Sequence, residues 1–402
     1  MFEWPGLTEE QVMVQRLARQ FAEKEIRPIS LELDAATDLE RSFPWDLVRK
    51  GSALGFRTLA LSPEYGGLGM DVPTQVVVID ELGYADIVGS KIFSQCWKWS
   101  TLIEAVGTPD QKERFLRQFA ADDTFLLAMA MTEPDAGSDN ILPYDAPDAG
   151  IRLSAVRQDG GYVLNGTKHF IAHGPVAKLY IVVGRTDRTV GGSQGRSYFL
   201  VPHDAPGLRV ARWHDKIGFR NYPQAELVFE NVWVPAENLL GGKEGPLPEV
   251  HNTINHVELA AHAMALSRAA FDAAREYASL RVQGGKPIIQ HQAVAMMLAD
   301  MYIDILCGRD MVWRLAHMAK EGKSDRMMRI ATKVFCTEAA VRVCKAAMEV
   351  HGGLGIMREM PVQKYVRDAL VLLHMDGTNQ VSRIRLGGLI ERRGAVQVPQ
   401  LV

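Results

Sequence analysis

The sequence predicts an α+β chain in three parts: a helical N-terminal domain at 1–122, an antiparallel β domain of barrel or sandwich type at 123–242, and a C-terminal four-helix bundle at 243–402. Three observations carry this. Apolar residues recur at helical spacing up to Ala120, and again after Gly241-Gly242. Between them the pattern changes to short, alternating or β-branched runs. Gly160-Gly161, Asn165-Gly166 and Gly191-Gly192 mark turns between those runs. At 402 residues the chain is long enough for two or three domains with large cores.

In the first part, Thr8-Glu9-Glu10-Gln11 reads as a capping box, and Val12, Val14, Leu17, Phe21 and Ile26 carry a helix to Pro28. Pro44 suits the first turn of a helix ending at Leu54. Segments 74–84, 89–105 and 109–120 read as further helices, and 62–69 as a glycine-rich loop. In the β part, Thr124-Phe125-Leu126-Leu127-Ala128-Met129 reads as a buried strand, with others at 152–156, 162–164, 179–183, 198–201 and 225–234. The last part reads as helices at 247–281, 289–321, 326–351, 361–372 and 378–391, with faces rich in Ala, Met and Leu.

A formal net charge of −3, from 45 basic and 48 acidic residues, gives no electrostatic case for nucleic acid. No apolar run approaches the ~20 residues of a membrane span. The opening Met1-Phe2-Glu3-Trp4-Pro5-Gly6 lacks a basic and an apolar region, so no signal peptide and a cytoplasmic location are expected. Cys96, Cys307, Cys336 and Cys344 form no C-x-x-C pair and no zinc spacing, so buried thiols and no metal are expected.

Chemistry concentrates after the first strand. Thr132-Glu133-Pro134-Asp135-Ala136-Gly137-Ser138-Asp139 brings two hydroxyls and a backbone turn to the strand's end, and Gly137 allows close approach of a ligand. This string resembles the T-E-P-x-x-G-S-D signature of the acyl-CoA dehydrogenase family. Further stretches are similar to that family, in order: Leu164 to Gly174, with Asn165-Gly166-Thr167-Lys168-His169-Phe170-Ile171-Ala172; Lys216-Ile217-Gly218-Phe219-Arg220; Asn238-Leu239-Leu240-Gly241; Arg281 to Ile288 with His291-Gln292; His351-Gly352-Gly353-Leu354-Gly355-Ile356; and Gln363-Lys364-Tyr365-Val366-Arg367-Asp368. The resemblance covers nearly the whole chain.

The resemblance implies a fold of helical domain, β domain and helical bundle, and FAD as cofactor. It implies flavin contacts from Met129, Met131, Thr132, Gly137, Ser138, Phe170, Ile171 and Ala172. It further implies that Arg281 and Gln292 reach the FAD of a neighbouring subunit in a homotetramer, that Glu349, Gly352 and Gly353 also contact the cofactor, and that Thr378 and Gln380 touch the ADP half of FAD. Acyl-CoA is the implied substrate and an electron-transferring flavoprotein the implied partner. Oxidising an acyl thioester between Cα and Cβ needs a positioned base, a polarised carbonyl and a hydride acceptor. The base is expected in Leu372-Leu373-His374-Met375-Asp376-Gly377-Thr378-Asn379-Gln380, at Asp376, where the family usually has Glu. The competing reading makes Asp376 an N-cap of the last helix. Asp reaches ~1.5 Å less than Glu, and family branches with Asp here include some that act on cyclic acyl-CoAs. An apolar pocket is expected to raise its pKa.

Substrate contacts are expected from Ser138, Gln95, His256 and Gly377. Phe93, Trp97 and Trp99 on 90–99 would narrow the acyl pocket, against a long straight chain, or pack in the core; Lys98 reads as solvated. Phe170 stands for a Trp that packs on the flavin. Ala172 stands for a Thr that bonds the ring, which favours an alternative, a same-fold oxidase or monooxygenase that uses oxygen. Gly284 replaces a Phe, Glu349 a Gln and His256 an Arg. The turn 140–148 is longer than usual and reads as a surface loop rather than a cover.

Overall fold

The structure is a computed structural model and describes residues 2–142, 145–250, 254, 257–323 and 325–394. The N-terminal part holds helices α1 (Glu9–Phe21), α2 (Ser30–Ala35), α3 (Trp45–Ala53), α4 (Val72–Ala85), α5 (Ile87–Val106), α6 (Pro109–Gln111) and α7 (Arg117–Ala121). Thr8 caps α1, and Gln11 completes the expected capping box by reaching back to the Thr8 N–H. Asp71 and Asp86 cap α4 and α5 through their side chains. The helix read at 109–120 is interrupted: a π-helical turn, Lys112–Leu116, separates α6 from α7. Helices α4 and α5 are apolar on almost every side and buried accordingly.

Seven strands follow: β1 (Leu126–Ala130), β2 (Ser154–Gln158), β3 (Gly161–Ala172), β4 (Ala177–Arg185), β5 (Arg196–Pro202), β6 (Leu208–Trp213) and β7 (Gln224–Pro235). They form one sheet in the order β1-β4-β2-β3-β7-β6, with β5 also paired to β4. The expected antiparallel arrangement is corrected to a mixed one. β1 runs parallel to β4 from Leu127↔Leu179 to Ala130↔Val182, because β2 and β3 intervene as a crossover between them. The sequence pattern marks strands but not which strand a long connection returns to. β6 is a strand the pattern missed: it lies at the sheet edge with mostly exposed residues and so shows no apolar alternation. β3 is far longer than the expected 162–164. Register shifts within β3 near Gly166 and between Lys168 and Ile171 bend it, and Phe170 sits there at φ 56°.

The C-terminal part comprises α8 (Glu258–Leu280), α9 (Gln292–Lys320), α10 (Arg326–His351), α11 (Pro361–Leu372) and α12 (Asn379–Gly394), with a short β ribbon at 282–287 joining α8 to the turn before α9. The helix expected from residue 247 starts only at Glu258. Helices α8, α9 and α10 pack on one another, and α4 lies against α8 and α9. One apolar core runs from the N-terminal helices through β1 into this bundle, and a second fills the sheet around Tyr162, Leu164, Phe199, Leu227 and Phe229. No helix among the described residues is long and apolar enough to cross a membrane.

Candidate active site

The two signature stretches meet at the end of β1. The Glu133 carboxylate, buried at 6% exposure, accepts from the N–H groups of Arg152 and Leu153 at 2.7 and 2.8 Å and from Lys168 Nζ at 2.8 Å. Lys168 Nζ also donates to the Met131 carbonyl at 2.9 Å, and the His169 N–H to the Thr132 carbonyl at 2.7 Å. Burial pulls the Lys168 ammonium down to about 8 against the pull of Glu133. This buried pair ties the exit of β1 to the bend of β3, so Met131, Thr132, Phe170, Ile171 and Ala172 are brought to one place. Sequence reading quoted Glu133 and Lys168 as motif letters but gave them no role.

The Phe170 ring is 55% exposed, 4.9 Å from the His214 ring. Ile171 is buried and Ala172 half-buried. The hydroxyls of Thr132 and Ser138 are half-buried, and the space where a Gly137 Cβ would stand is open. An exposed ring, two hydroxyls and an open backbone at a strand end fit a flat polar cofactor. Arg281 and Gln292 are exposed on the chain, Glu349 forms an ion pair with Lys345 at 3.5 Å, and Gly352 and Gly353 have open space where a side chain would stand. These five residues lie on or beside α8, α9 and α10, apart from the β-domain group.

Asp376 sits on the tight turn between α11 and α12. It adopts φ 51° and Gly377 φ 84°, two successive left-handed residues that reverse the chain. The capping role open to Asp376 falls instead to Thr378, whose Oγ1 accepts from the Val381 N–H at 3.3 Å. Lys333 on α10 fixes the turn by donating to the Gly377 carbonyl at 2.5 Å and to Asn379 Oδ1 at 2.8 Å. Burial lowers the Lys333 pKa to about 8. Gln380 is exposed and Thr378 half-buried.

The Asp376 carboxylate is 47% exposed, and its inner side meets a buried cluster of charge. Lys91, Ser94, Gln95 and Lys98 share one face of α5, at helical spacing. Lys98 Nζ lies 3.3 Å from Asp376 Oδ2 and 3.1 Å from Glu258 Oε2, while Lys91 Nζ lies 2.8 Å from the same Glu258 oxygen. Ser94 donates to the other oxygen of Glu258. His262, one turn along α8, bonds the Glu258 carbonyl and Ser90, and burial holds its pKa down to about 3, so it is neutral. The two lysines differ in direction. Lys98 is raised because two carboxylates outweigh its burial, whereas for Lys91 burial, with Lys98, outweighs the pull of Glu258 and Asp376 and lowers it.

Two expectations are corrected here. Lys98 is buried at 4%, not solvated. The Asp376 pKa is lowered, not raised: burial pushes it up, but Lys98 and Lys91 outweigh burial. Of the two readings of the aromatic residues, core packing holds for Phe93 and Trp97, which are fully buried, Phe93 against Phe21 and Phe56 and the Trp97 indole bonded to the Phe56 carbonyl. Gln95 is buried on the Lys98 face. His256 lies outside the described residues. Sequence reading also missed Lys91, Glu258, Lys333 and Tyr222, whose buried hydroxyl has no partner and whose ionisation Glu258 and Asp376 oppose. The signal for the lysines was a polar spacing of 91, 94, 95 and 98 on an otherwise apolar helix.

Among the described residues of the turn 140–148, Ile141 reaches the Asp376 turn. A Cβ on Gly377 would stand 2.3 Å from Ile141 Cδ1, so Ile141 lies directly over the Asp376 turn. Asp145 accepts from the N–H and hydroxyl of Ser193. Ile141, Leu142 and the carboxylates Asp139 and Asp145 line a cavity of about 350 Å³ together with Arg326, Arg385 and Arg392. Arg385 is held down by burial and by its neighbours Arg326 and Arg329, and its Nε is unpartnered. Crowded guanidinium groups in a cavity suit an anionic ligand.

Comparison with known proteins decides the family. Models of the acyl-CoA dehydrogenase N-terminal, middle and C-terminal domains match residues 8–123, 128–232 and 253–388. The chain belongs to the acyl-CoA dehydrogenase family. It is 36% identical to cyclohex-1-ene-1-carbonyl-CoA dehydrogenase of Geobacter metallireducens, over 95% of this chain and 98% of that protein. It is 32% identical to the short-chain-specific acyl-CoA dehydrogenase of Clostridium acetobutylicum, over 96% and 99%. Butyryl-CoA dehydrogenase of Megasphaera elsdenii superposes with a TM-score of 0.86 at 30% identity, covering 97% of this chain and all of that one. The chain is therefore an oxidoreductase of the CH–CH type, in a family whose cofactor is FAD.

Proposed function

We propose that this enzyme oxidises the Cα–Cβ bond of an acyl-CoA thioester, with Asp376 as the base that takes the α-proton. The observation that carries the reading is the state of Asp376: an ionised carboxylate on a strained turn, anchored on its inner side by Lys98, with its N-cap alternative already filled by Thr378. Bound FAD would supply the hydride acceptor for Cβ.

In this reading Met129, Met131, Thr132, Gly137, Ser138, Phe170, Ile171 and Ala172 hold the flavin, and Phe170 stacks on it. Arg281 and Gln292 reach the FAD of a second subunit of a homotetramer, Glu349, Gly352 and Gly353 contact the cofactor, and Thr378 and Gln380 touch the ADP half of FAD. The arginine-lined cavity beside Ser193 takes the phosphate-bearing end of CoA. Ser138, Gln95 and Gly377 contact the thioester and acyl group. A short, branched or cyclic acyl group suits the shorter carboxylate, and a relative acts, by its name, on a cyclic thioester. An electron-transferring flavoprotein is the proposed acceptor. A second reading, direct use of oxygen, is favoured by the Ala172 methyl where a hydroxyl would bond the ring.

Anaerobic flavin bleaching with straight, branched, cyclic, aryl and dicarboxylic acyl-CoAs tests this. Bleaching by one class is expected, together with a loss of about 10²–10⁴ in rate in Asp376→Asn with FAD retained. Wild-type bleaching in that variant would remove Asp376 from the role. No bleaching of the FAD-loaded enzyme by any thioester would overturn the dehydrogenase reading in favour of oxygen or a non-CoA substrate.

A further inference from the structure

We propose that Lys98 is a positioning residue for Asp376, fixing the half-exposed carboxylate through an ion pair whose lysine side is buried and held in place by Glu258 of α8. The inference rests on the reading of Asp376 as the base. Its ground is geometry. Lys98 Nζ bridges Asp376 at 3.3 Å and Glu258 at 3.1 Å, and its side chain is 5% exposed. The Glu258 side chain is fully buried, and it is fixed by Lys91 at 2.8 Å and by Ser94. A chain of contacts thus runs from the core to the one partly open member, Asp376.

The charge balance gives the arrangement a purpose. Lys98, which two carboxylates hold in its charged form, stands between Glu258 and Asp376. When the α-proton moves from Cα to an Asp376 oxygen, the C–H electron pair stays on the substrate as an enolate. The cluster then holds one negative charge fewer than before, beside that anion. Paired charge in a site of low dielectric is worth more than in water. Lys98 therefore acts twice: it aims the carboxylate before transfer, and it opposes the enolate charge after it.

The groups facing Asp376 among the described residues come from four elements. Lys91 and Lys98 face it from α5, Glu258 from α8, Lys333 from α10 and the Tyr222 hydroxyl from the segment before β7. Only the lysines favour its ionised form; Glu258 opposes it. Substitution of Lys98 and of Glu258 therefore has opposite signs.

The experiment is the pH dependence of anaerobic flavin reduction by the best thioester, in the FAD-loaded enzyme. An opposite charge within ~4–6 Å lowers an Asp pKa by ~1–3 units. Lys98→Met is expected to move the acid midpoint up by about 1–3 units, with Lys98→Arg returning it towards wild type. Glu258→Gln is expected to move it down. If Glu258→Gln does not fold, Lys91→Met replaces it and moves the midpoint up, by less than Lys98→Met. In parallel, infrared difference titration of wild type against Asp376→Asn, without substrate, reads the carboxyl group directly. An unchanged midpoint in folded, FAD-loaded Lys98→Met would overturn the proposal, as would Lys98→Met and Glu258→Gln midpoints moving in the same direction. A wild type that no thioester bleaches overturns only Asp376 as base; the infrared titration still decides the ion pair.

Discussion

Replacing Glu133 by Gln tests whether the buried pair with Lys168 organises the cofactor side of the site. Gln keeps the size but loses the charge, and its amide nitrogen faces one of the two N–H donors, of Arg152 and Leu153, that the carboxylate satisfied. Breaking a buried pair by removing one partner costs about 3–5 kcal/mol. The pH dependence gives the sharper reading. In the wild type the Lys168 pKa is already down to about 8. An unfolded Lys keeps its proton to ~10.4, so above pH ~8 the unfolded chain binds more protons and stability rises with pH, by up to ~1.4 kcal/mol per unit. Without Glu133 that pKa falls further and the rise begins at lower pH. The deficit of Glu133→Gln against wild type is therefore expected to narrow towards pH 8. Lys168→Met loses the rise altogether, so its deficit widens above pH 8. Thermal and urea unfolding of the FAD-loaded proteins between pH 6 and pH 10 measures both. Equal stability of Glu133→Gln and wild type across that range, or parallel curves for the two variants, would refute the reasoning.

Two further perturbations follow from the site. Gly377→Ala puts a methyl 2.3 Å from Ile141 Cδ1 at a residue with φ 84°, and is expected to impair flavin reduction more than FAD binding; adding Ile141→Ala should recover part of the steric loss but none of the backbone strain. A single Gly377→Ala enzyme with wild-type rates would show that the turn tolerates both. Arg385→Met, in the cavity shared with Arg326, is expected to raise the KM for a CoA thioester with little change in kcat, and to flatten the salt dependence of KM; an unchanged KM would remove the cavity from thioester binding.

Local signals read well from sequence wherever the cause was local. The Thr8 capping box, the extent of α10 and α11, and the strand before Thr132 all follow from spacing and turn residues. What escaped was set by distant partners. β1 beside β4 depends on a crossover that no short pattern records, and β6 is an edge without alternation. Lys98 looked solvated because its neighbours Glu258 and Asp376 lie 160 and 278 residues away in the chain. The same distance reversed the expected pKa of Asp376: burial alone would raise it, but the two α5 lysines that lower it lie far earlier in the chain and meet it only in the fold.

The buried ions also say which parts of the chain can be exchanged. Besides the Lys98 cluster, Arg268 and Arg309 from α8 and α9 hold Asp80 of α4 at 3.0 and 2.8 Å, and Lys364 of α11 holds Asp86 at 3.0 Å. Every one of these joins the N-terminal helices to the C-terminal helices. The β domain, by contrast, meets α11 through main-chain atoms, the Phe219 N–H on Asp368 and the Ile217 carbonyl on Arg367, which any sequence supplies. Recombination between relatives should therefore tolerate crossovers that replace the sheet alone. A transplant of the N-terminal helices alone strands acidic or basic groups in the interior, so the two outer segments must be inherited together as one unit.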